Sequence, residues 1–405
     1  MERSKTLVCF TSSYPYGTRE TYFDTELKYI APAFDKVLII PMINSSGSQA
    51  RRSVPLNVEV LEVCAPQGAE RAIKGLFNLS PLGPYVADFF RGAVFTSKRK
   101  FVMWANSLLI FRIYLKKIKP FLKTLPPDTV LYSYWAEFPL FVTPLTKSFR
   151  KVVRLHGGDF YVERNNGYLP VRNELYHNAD LLTPISDQIA NRLVSDYGIS
   201  KHKVIVNRLG VENDTGELNP QPFGAEFNIV SCSNVVALKR VHLIVEALKL
   251  TSPEYKIQWH HFGDGPELEN LKELVTQLPP HVTAIFHGWT FSPDLFAFYA
   301  KNPIRWLVNV SRYEGVPVSI MEAFSFGIPV LATDVGGTSE IVNVDNGFLL
   351  PLDFAPEQLA RYICMPLNDL YQAKRKGALL TWQERYNAPD NYNKFIEILQ
   401  HSAGF

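Results

Sequence analysis

Residues 311–323, SRYEGVPVSIMEA, decide the fold because they join a predicted strand to a predicted helix. The apolar run Ile304–Val310 before them is typical of a buried strand, and Pro317 suits the first position of a helix. Gly327 and Pro329 then end that helix. A strand, a tight turn and a helix in this order form the repeating unit of a doubly wound parallel sheet.

The same alternation continues in both directions along the chain. Before residue 213 the predicted strands are Leu7–Thr11, Lys36–Pro41, Val58–Val63, Thr129–Tyr134, Lys151–Leu155, Leu181–Pro184 and Lys203–Val206. After it they are Phe227–Cys232, Lys256–Phe262, Val282–His287, Ile304–Val310 and Pro329–Thr333. The helices predicted in the second half are Val241–Leu250, Glu267–Leu278, Asp294–Ala300, Pro317–Phe326 and Pro356–Cys364. Alternating strands and helices indicate parallel sheets.

A polar, proline-rich stretch from Glu212 to Pro222 interrupts the alternation and is typical of a linker. We therefore predict an α/β protein with two doubly wound, Rossmann-like domains, residues 1–212 and a second domain that begins at 213. Two such domains facing a central cleft would bind their ligand beyond the carboxyl ends of the strands.

The composition excludes several classes of protein. Hydrophobic residues make up 46% of the 405 residues and charged residues 20%, which excludes disorder as the main state. The formal charge of +3 is too small for a general nucleic-acid binder. No apolar run has the roughly 18 residues of a membrane-spanning helix. We expect a cytoplasmic protein with free thiols, since no metal-ligand spacing relates its cysteines, Cys9, Cys64, Cys232 and Cys364.

Residues 89–127 contain nine basic residues and no acidic residue, interleaved with aromatic side chains at helical spacing. This pattern is typical of a helix at an anionic membrane surface, where it would give peripheral attachment. It is equally typical of an ordinary helix pair with its aromatic residues in the core and its lysines in water. The sequence leaves both interpretations open.

The turn between strand and helix also carries polar groups suited to a ligand. Free backbone amides from Val316 to Ser319, at the start of a helix, favour an anion such as a diphosphate. Glu314 lies in the turn and Glu322 lies more than one turn inside the helix. Two carboxylates at different depths predict contacts with the hydroxyls of an elongated polar ligand.

The stretch Glu314 to Val342, with the E-x7-E spacing of Glu314 and Glu322, resembles the retaining GT-B glycosyltransferases of family 4, the glycosyl transferases group 1. Five further segments resemble motifs of that family in the same order: Tyr14–Thr21, Arg154–Asp159, Arg208–Glu212, Lys239–Arg240 and the GxGP turn Gly263–Pro266. Phe286–Gly288 resembles its strand end near the nucleobase. The final stretch, 382–405, resembles the tail that returns to the first domain, which leaves 213–381 as the second domain.

The resemblance implies roles for individual residues. Glu314 would contact the donor sugar, His156 would hydrogen-bond that sugar, and Lys239 would neutralise the diphosphate leaving group. The other implied donor contacts are Glu322 on the ribose, Asn234, Arg240, Gly17, Gly263, Gly265, Gly315, Val316, Pro317 and Val318. Implied acceptor-side residues are Tyr16, Thr21 and Asp159, although Asp159 is as readily interpreted as the cap of a turn.

One position departs from the family pattern. The arginine that the family places five residues before the phosphate lysine is replaced here by Asn234. An amide cannot supply that positive charge. Either Arg240 or Arg19 substitutes for it, or the leaving group is stabilised less strongly and catalysis is weaker.

The resemblance implies a hexosyltransferase that uses a nucleotide diphosphate sugar, with UDP preferred, and a glycan or lipid-linked acceptor of cell-surface polysaccharide or glycolipid synthesis. The acceptor would attack on the face that the diphosphate leaves, and no cofactor or essential metal is implied. Two alternatives stay open. Asn234 favours a non-catalytic sugar-nucleotide scaffold on the same fold. A dinucleotide-dependent oxidoreductase is opposed by Leu268, which stands where the third glycine of G-x-G-x-x-G is required.

Overall fold

A computed structural model of the chain describes residues 6–17, 20–42, 51–61, 83–137, 146, 148–165, 167–221 and 224–400. Arg19 and Cys64 lie outside the described residues. The contacts between residues divide the chain into two compact units, residues 1–208 with 389–405, and residues 209–388. The predicted boundary lay between residues 212 and 213.

The first unit contains a six-stranded sheet in the described part of the chain. Its strands are β1 (Thr6–Thr11), β2 (Lys36–Pro41), β3 (Val58–Val60), β4 (Val130–Ser133), β5 (Arg150–Leu155) and β6 (Leu181–Pro184). They pair in the parallel order β3-β2-β1-β4-β5-β6. The order reverses between β1 and β4, and this reversal opens a crevice at the carboxyl ends of those two strands.

Helices flank this sheet. They are α1 (Thr21–Ile30), α2 (Gly83–Arg91), α3 (Lys98–Leu122), α4 (Gly157–Phe160), α5 (Arg172–Asn178) and α6 (Asp187–Ser195). Every residue of β1 is buried, as expected for a central parallel strand covered by helices on both faces.

The second unit contains another six-stranded parallel sheet. Its strands are β7 (Glu226–Cys232), β8 (Lys256–Phe262), β9 (Val282–Gly288), β10 (Ile304–Asn309), β11 (Val330–Thr333) and β12 (Gly347–Leu350). The order is β12-β11-β10-β7-β8-β9, so the reversal lies between β10 and β7. Its helices are α7 (His242–Leu248), α8 (Leu268–Val275), α9 (Ser292–Lys301), α10 (Val318–Ser325), α11 (Thr338–Ile341), α12 (Pro356–Ile363) and α13 (Asp369–Arg385).

The final helix, α14 (Ala388–Gln400), packs into the core of the first unit. Its Phe395 is fully buried, with its ring 5.1 Å from that of Tyr132 and 4.8 Å from the guanidinium carbon of Arg154. Arg154 also donates to Glu26 over 2.8 Å, and both side chains of this ion pair are fully buried. Trp382, where the predicted tail begins, belongs instead to the second unit, and its indole donates to Val211 O over 3.0 Å.

The alternation of strands and helices predicted a doubly wound α/β chain, and this fold class is confirmed, with three local corrections. The predicted strand over residues 203–206 is wrong, because this segment pairs with the sheet only through one isolated bridge, between Val204 and Leu182. Strand β12 was missed because Gly347–Leu350 is short and begins with a glycine. Pro317 precedes α10 as its N-cap, since its ψ of 118° is extended. Of the predicted strand Val58–Val63, residues 62 and 63 lie outside the described part.

Candidate functional site

The reversal of strand order in the second unit creates a pocket at the carboxyl ends of β7 and β10. Its lining combines strand ends, the loop after β7 and α7: Ser231, Cys232, Ser233, Lys239, Val241, Ile244, Val308, Asn309, Val310 and Ser311. This is the edge of a doubly wound sheet where ligands bind. The sequence placed Lys239 here, and the structure adds the polar side chains Ser311 and Asn309.

Glu314 lies in the loop between β10 and α10 and collects three donors on one carboxylate oxygen. Lys239 Nζ lies 2.6 Å from Oε1, Ser311 Oγ donates over 2.6 Å, and Asn309 Nδ2 donates over 3.2 Å. Because Glu314 is buried, these three contacts fix its orientation and offset part of the cost of removing its charge from water. Only Lys239 among the three partners was singled out from the sequence.

The turn after β11, residues 336–340 (GGTSE), packs directly against the backbone of the Glu314 loop. A Cβ on Gly336 would lie 1.9 Å from Glu314 O, and one on Gly337 would lie 2.3 Å from Gly315 O. Gly337 N donates to Gly315 O over 2.8 Å. Gly336 also has a φ of +54°, which disfavours a side chain independently of the contact. The two glycines therefore permit the close approach that sets the position of the Glu314 backbone.

The Gly263–Pro266 turn packs in the same way against the loop after β7, which contains the pocket-lining residue Ser233. A Cβ on Gly263 would lie 1.9 Å from Ser233 O, and one on Gly265 would lie 2.3 Å from Val235 O. Val235 N donates to Asp264 O over 2.9 Å, which ties the two loops together. The sequence predicted ligand contact or turn formation for these glycines. In the structure, close backbone packing is by itself sufficient to require glycine at positions 263 and 265.

Glu322 lies inside α10, on the helix that follows the Glu314 loop. Its carboxylate accepts from Ser292 Oγ over 3.2 Å and is 7% exposed as a residue. Burial raises the pKa of Glu322 to about 7, and the hydroxyl of Ser292 offsets only part of this effect. A carboxylate with one weak donor retains lone pairs for hydroxyl groups of a ligand. Ser292, at the start of α9, was not identified from the sequence.

The loop before α7 carries the predicted phosphate-binding residues in three different environments. Lys239 is partly exposed and pairs with Glu314. Asn234 is exposed. Arg240 is buried, and its guanidinium donates to the carbonyls of Val310, Leu352 and Ser311 over 2.9, 2.8 and 3.4 Å. Three of the five N–H donors of Arg240 are thus engaged within the second unit, and its contact with a donor phosphate stays a prediction.

The start of α10 is where the sequence predicted an anion site, and that site stays a prediction. Gly315, Val316 and Pro317 lead into the helix, whose first residue is Val318. The first amides of a helix have no partner within the helix and point outward from its N-terminus. The loop that contains Glu314 leads into α10, so an anion bound at the start of this helix would lie on the segment that follows β10.

The first unit positions His156 at the end of β5. Its Nε2 lies 3.1 Å from Tyr134 O, and its ring lies 4.4 Å from that of Trp135. A carbonyl oxygen only accepts, so Nε2 carries the hydrogen. Burial, together with the charge of Arg154, holds the pKa of His156 well below its usual value of 6.5. The ring is therefore neutral at pH 7.

Asp159 caps backbone amides. Its two oxygens accept from His156 N and from Ala136 N, each over 2.7 Å. Burial raises the pKa of Asp159 to about 7, although the amide of Ala136 opposes the shift. The carboxylate thus fastens the loop after β4 to the turn after β5, as the capping interpretation of its sequence predicted. Its acceptor contact stays a prediction.

Glu20 lies in the predicted segment Tyr14–Thr21, but its role could not be predicted from the sequence. Its carboxylate accepts from the amides of Ser12, Ser13 and Tyr14, each over 2.7 Å, and from the indole nitrogen of Trp135 over 2.6 Å. Its backbone is left-handed, with φ 58°. The loop after β1 and the loop after β4 meet on this carboxylate, at the reversal point of the first sheet. No local pattern signals such a contact, since Trp135 is distant in sequence.

The predicted acceptor-side loop folds tightly against neighbouring residues. Gly17 has a φ of +69° and its carbonyl accepts two bonds from Arg52, over 2.8 and 2.9 Å. Tyr16 is buried and bridges to Arg51, while Thr21 begins α1. The structure thus places these residues around one loop, whose ligand contacts stay predictions.

No group of three or more His, Cys, Asp or Glu side chains in the described ranges has the arrangement of a metal site. Among the helices the structure describes, none combines the length and apolar character needed to span a bilayer.

Comparison with known protein families supports the predicted resemblance for one part of the chain. Residues 226–369 match the family "Glycosyl transferases group 1". This segment contains β7 to α12, and with them the pocket, Glu314 and Glu322. The assignment to family 4 and the retaining stereochemistry stay predictions.

Curated relatives carry names from cell-surface polysaccharide synthesis. The "Putative colanic acid biosynthesis glycosyltransferase WcaL" of Escherichia coli is 31% identical over 195 residues, 46% of this chain and 47% of that protein. The "Lipopolysaccharide 1,6-galactosyltransferase" of Escherichia coli is 26% identical over 192 residues, 47% of this chain and 51% of that protein. The chain therefore spans about half the length of these relatives.

A solved structure extends the likeness in fold to nearly the whole chain. Anabaena Alr3699/HepE, solved in complex with UDP and glucose, has a TM-score of 0.65 at 16% identity. The alignment covers 98% of this chain and 99% of that one. At this identity the comparison establishes the GT-B fold alone.

Proposed function

We propose that the protein is a retaining glycosyltransferase that moves a hexose from a UDP-sugar to a glycan or lipid-linked saccharide. The observation that carries the proposal is the pocket at the reversal point of the second sheet, which Lys239 lines, together with the ion pair of Lys239 with Glu314 in the loop that leads into α10. A cation, helix amides and a carboxylate recognise the diphosphate and the sugar hydroxyls of one donor molecule. The match over residues 226–369 supports the same activity.

In this proposal the second unit stabilises the leaving group. Lys239 and the first amides of α10 hold the negative charge that develops on the diphosphate as the bond to the anomeric carbon breaks. Glu314, fixed by Ser311 and Asn309, accepts hydrogen bonds from sugar hydroxyls. Glu322 accepts from the ribose.

The acceptor hydroxyl attacks the anomeric carbon on the face from which the diphosphate departs. Its proton passes to a phosphate oxygen of the departing diphosphate, so the reaction needs no carboxylate base and retains configuration. We assign to His156 a hydrogen bond to the donor sugar. Because its ring is neutral, it adds no positive charge beside the cationic transition state. No essential metal or cofactor is part of the proposal.

The UDP preference rests on the neighbouring structure solved with UDP and glucose. The acceptor class rests on the names of the colanic acid and lipopolysaccharide relatives. We further propose that the protein works in the cytoplasm at the inner membrane face, where lipid-linked acceptors reside. Helices α2 and α3 carry the surface that would hold it there.

A binding panel tests the donor site. Thermal unfolding is followed with UDP, GDP, ADP, NAD and buffer alone, for the wild type and for Glu322→Ala. A ligand that binds only the folded state at 100 times its Kd adds about 2.7 kcal/mol to the free energy of unfolding. We expect UDP to raise the unfolding midpoint of the wild type and not of the variant. Stabilisation by NAD alone would refute the proposal in favour of an oxidoreductase.

A non-catalytic scaffold is the second candidate, and two observations favour it. Asn234 supplies no positive charge, and the guanidinium of Arg240 is engaged by three carbonyls. Slow hydrolysis of UDP-glucose, followed by proton NMR, separates the two candidates. A retaining enzyme releases the α-anomer first, and Glu314→Gln should abolish the release. A scaffold binds UDP-glucose and releases no sugar.

A further inference from the structure

Helices α2 and α3 and the 3-10 turn Val94–Thr96 between them form an unusual surface of the first unit. We call it the aromatic-basic face. Its exposed apolar side chains are Val86, Phe90, Phe95, Phe101 and Val102. Its exposed basic side chains are Lys98, Arg99, Lys116, Lys117, Lys119 and Lys123.

The exposed rings pack on a common support, the two linked rings of Phe89 and Trp104. Phe90 is 68% exposed, Phe95 65% and Phe101 49%. The ring of Phe89 contacts Phe90 at 5.6 Å, Phe95 at 6.2 Å and Trp104 at 5.3 Å. The ring of Phe101 contacts Trp104 at 6.1 Å. Contiguous exposed apolar side chains of this size mark a surface that binds an apolar partner.

This layer of rings is held in place by a fixed indole. Trp104 Nε1 donates to Tyr85 O over 3.0 Å, and the rings of Trp104 and Tyr85 meet edge to face at 6.0 Å. Tyr85 is fully buried, so the support reaches the interior of the first unit. The exposed rings are therefore presented in a defined arrangement, and little of their freedom has to be lost on binding.

The basic residues continue the same face along α3. Lys98 and Lys116 lie about five helical turns apart, which puts them on the same side of the helix. The same spacing relates Phe101 to Lys119. Within the described part of the chain, Lys98, Arg99, Lys116, Lys119 and Lys123 form no ion pair. Arg91 is paired with Glu174 and is not counted among them.

We propose that the aromatic-basic face docks on an anionic lipid bilayer. The exposed rings enter the boundary between headgroups and acyl chains, and the lysines remain among the lipid phosphates. A second copy of this chain is a poorer partner, because residues 89–127 contain no acidic residue and two such faces would repel each other. The proposal is independent of the donor site, since α2 and α3 belong to the first unit.

Vesicle flotation of the full chain tests the proposal, with phosphatidylcholine vesicles that contain or lack phosphatidylglycerol. The wild type should float only with the anionic vesicles, and high salt should weaken binding. Changing Lys116, Lys119 and Lys123 to Gln should lower the partition coefficient roughly fivefold per side chain, or about a hundredfold together. The control is Lys256, Lys272 and Lys301→Gln in the second unit, which should bind like the wild type.

A second variant tests the rings. Phe90, Phe95 and Phe101→Ser should abolish flotation and leave the unfolding midpoint unchanged, because these side chains are exposed. Its control changes three comparably exposed apolar residues of the second unit, Leu218, Val344 and Leu370, to Ser.

Wild-type binding by the Phe→Ser variant would overturn the proposal, as would equal binding to neutral vesicles. A wild-type dimer that the Phe→Ser change dissociates in sedimentation velocity would assign the face to a second copy. Failure of UDP binding would leave the vesicle result intact, so the two proposals fail separately.

Discussion

Replacing Gly336 by Ala should destabilise the second unit and weaken donor binding together. The new Cβ would lie 1.9 Å from Glu314 O, a separation that backbone atoms cannot tolerate, so the Glu314 loop must move. The left-handed φ of +54° adds its own cost of about 1–2 kcal/mol for a residue with a Cβ. Relieving the contact adds about 1–3 kcal/mol.

Gly216→Ala is the matched control. Gly216 lies in the same unit with a φ of +62°, but its Cβ would meet no atom within 4 Å. The control therefore carries the conformational cost without the contact. We expect Gly336→Ala to be less stable than Gly216→Ala by about 2 kcal/mol, which is about 4–8 °C in the unfolding midpoint of a unit of this size.

Two assays read the outcome. Calorimetry gives the two unfolding midpoints, and isothermal titration gives the affinity for UDP and UDP-glucose. A displaced Glu314 loop should weaken UDP-glucose binding by about tenfold or more in Gly336→Ala, with no change in Gly216→Ala. Equal midpoints for the two variants would refute the close approach of the two loops. Unequal midpoints with equal affinities would refute the role of Glu314 in donor binding.

Three further perturbations test other parts of the structure. Burial raises the pKa of Glu322 from 4.5 to about 7, so the folded protein holds this proton more tightly than the unfolded chain. The contribution of Glu322 to the free energy of unfolding therefore falls as pH rises from 4.5 to 7 and is constant above pH 7. Glu322→Gln should remove this fall from the pH dependence of stability measured by calorimetry. Phe395→Ala, at a fully buried position, should cost about 3–5 kcal/mol in chemical denaturation, whereas Leu380→Ala, at a 52% exposed position, should change stability little. A midpoint unchanged by Phe395→Ala would contradict the packing of α14 on the first unit. Glu20→Gln replaces one carboxylate oxygen by an NH2 group that faces amide donors, so it should lower the free energy of unfolding by about 1–3 kcal/mol. It should also change the fluorescence of Trp135, and an unaltered emission spectrum would contradict the contact between Trp135 and Glu20.

Much of the fold could be predicted from the sequence because the signals are local. Apolar runs such as Leu7–Thr11 identify central strands, since a strand covered on both faces needs apolar residues at consecutive positions. Gly327 and Pro329 mark the end of α10 through backbone preferences that act within a few residues. The weak strand β12 was missed because its short, glycine-led segment carries little of either signal.

The candidate site could be predicted only in outline. The E-x7-E spacing and the glycine turns identified Glu314, Glu322 and the loops around them. The turn interpretation is sufficient to explain the glycine at position 263, since a Cβ there would lie 1.9 Å from Ser233 O. The backbone carbonyls that accept from Arg240 could not be predicted from the sequence, because they belong to residues distant along the chain.

The sequence by itself determined the strand and helix alternation, the glycine-dependent turns and the charge pattern of residues 89–127, since each depends on neighbours in the chain. Tertiary structure alone decided the partners of Glu314, the contact of Trp135 with Glu20 and the common support of the exposed phenylalanines. Those contacts join residues brought together by strand order and helix packing. Hydrogen bonds and ring contacts act over a few ångströms in space, and sequence distance does not determine which groups come that close.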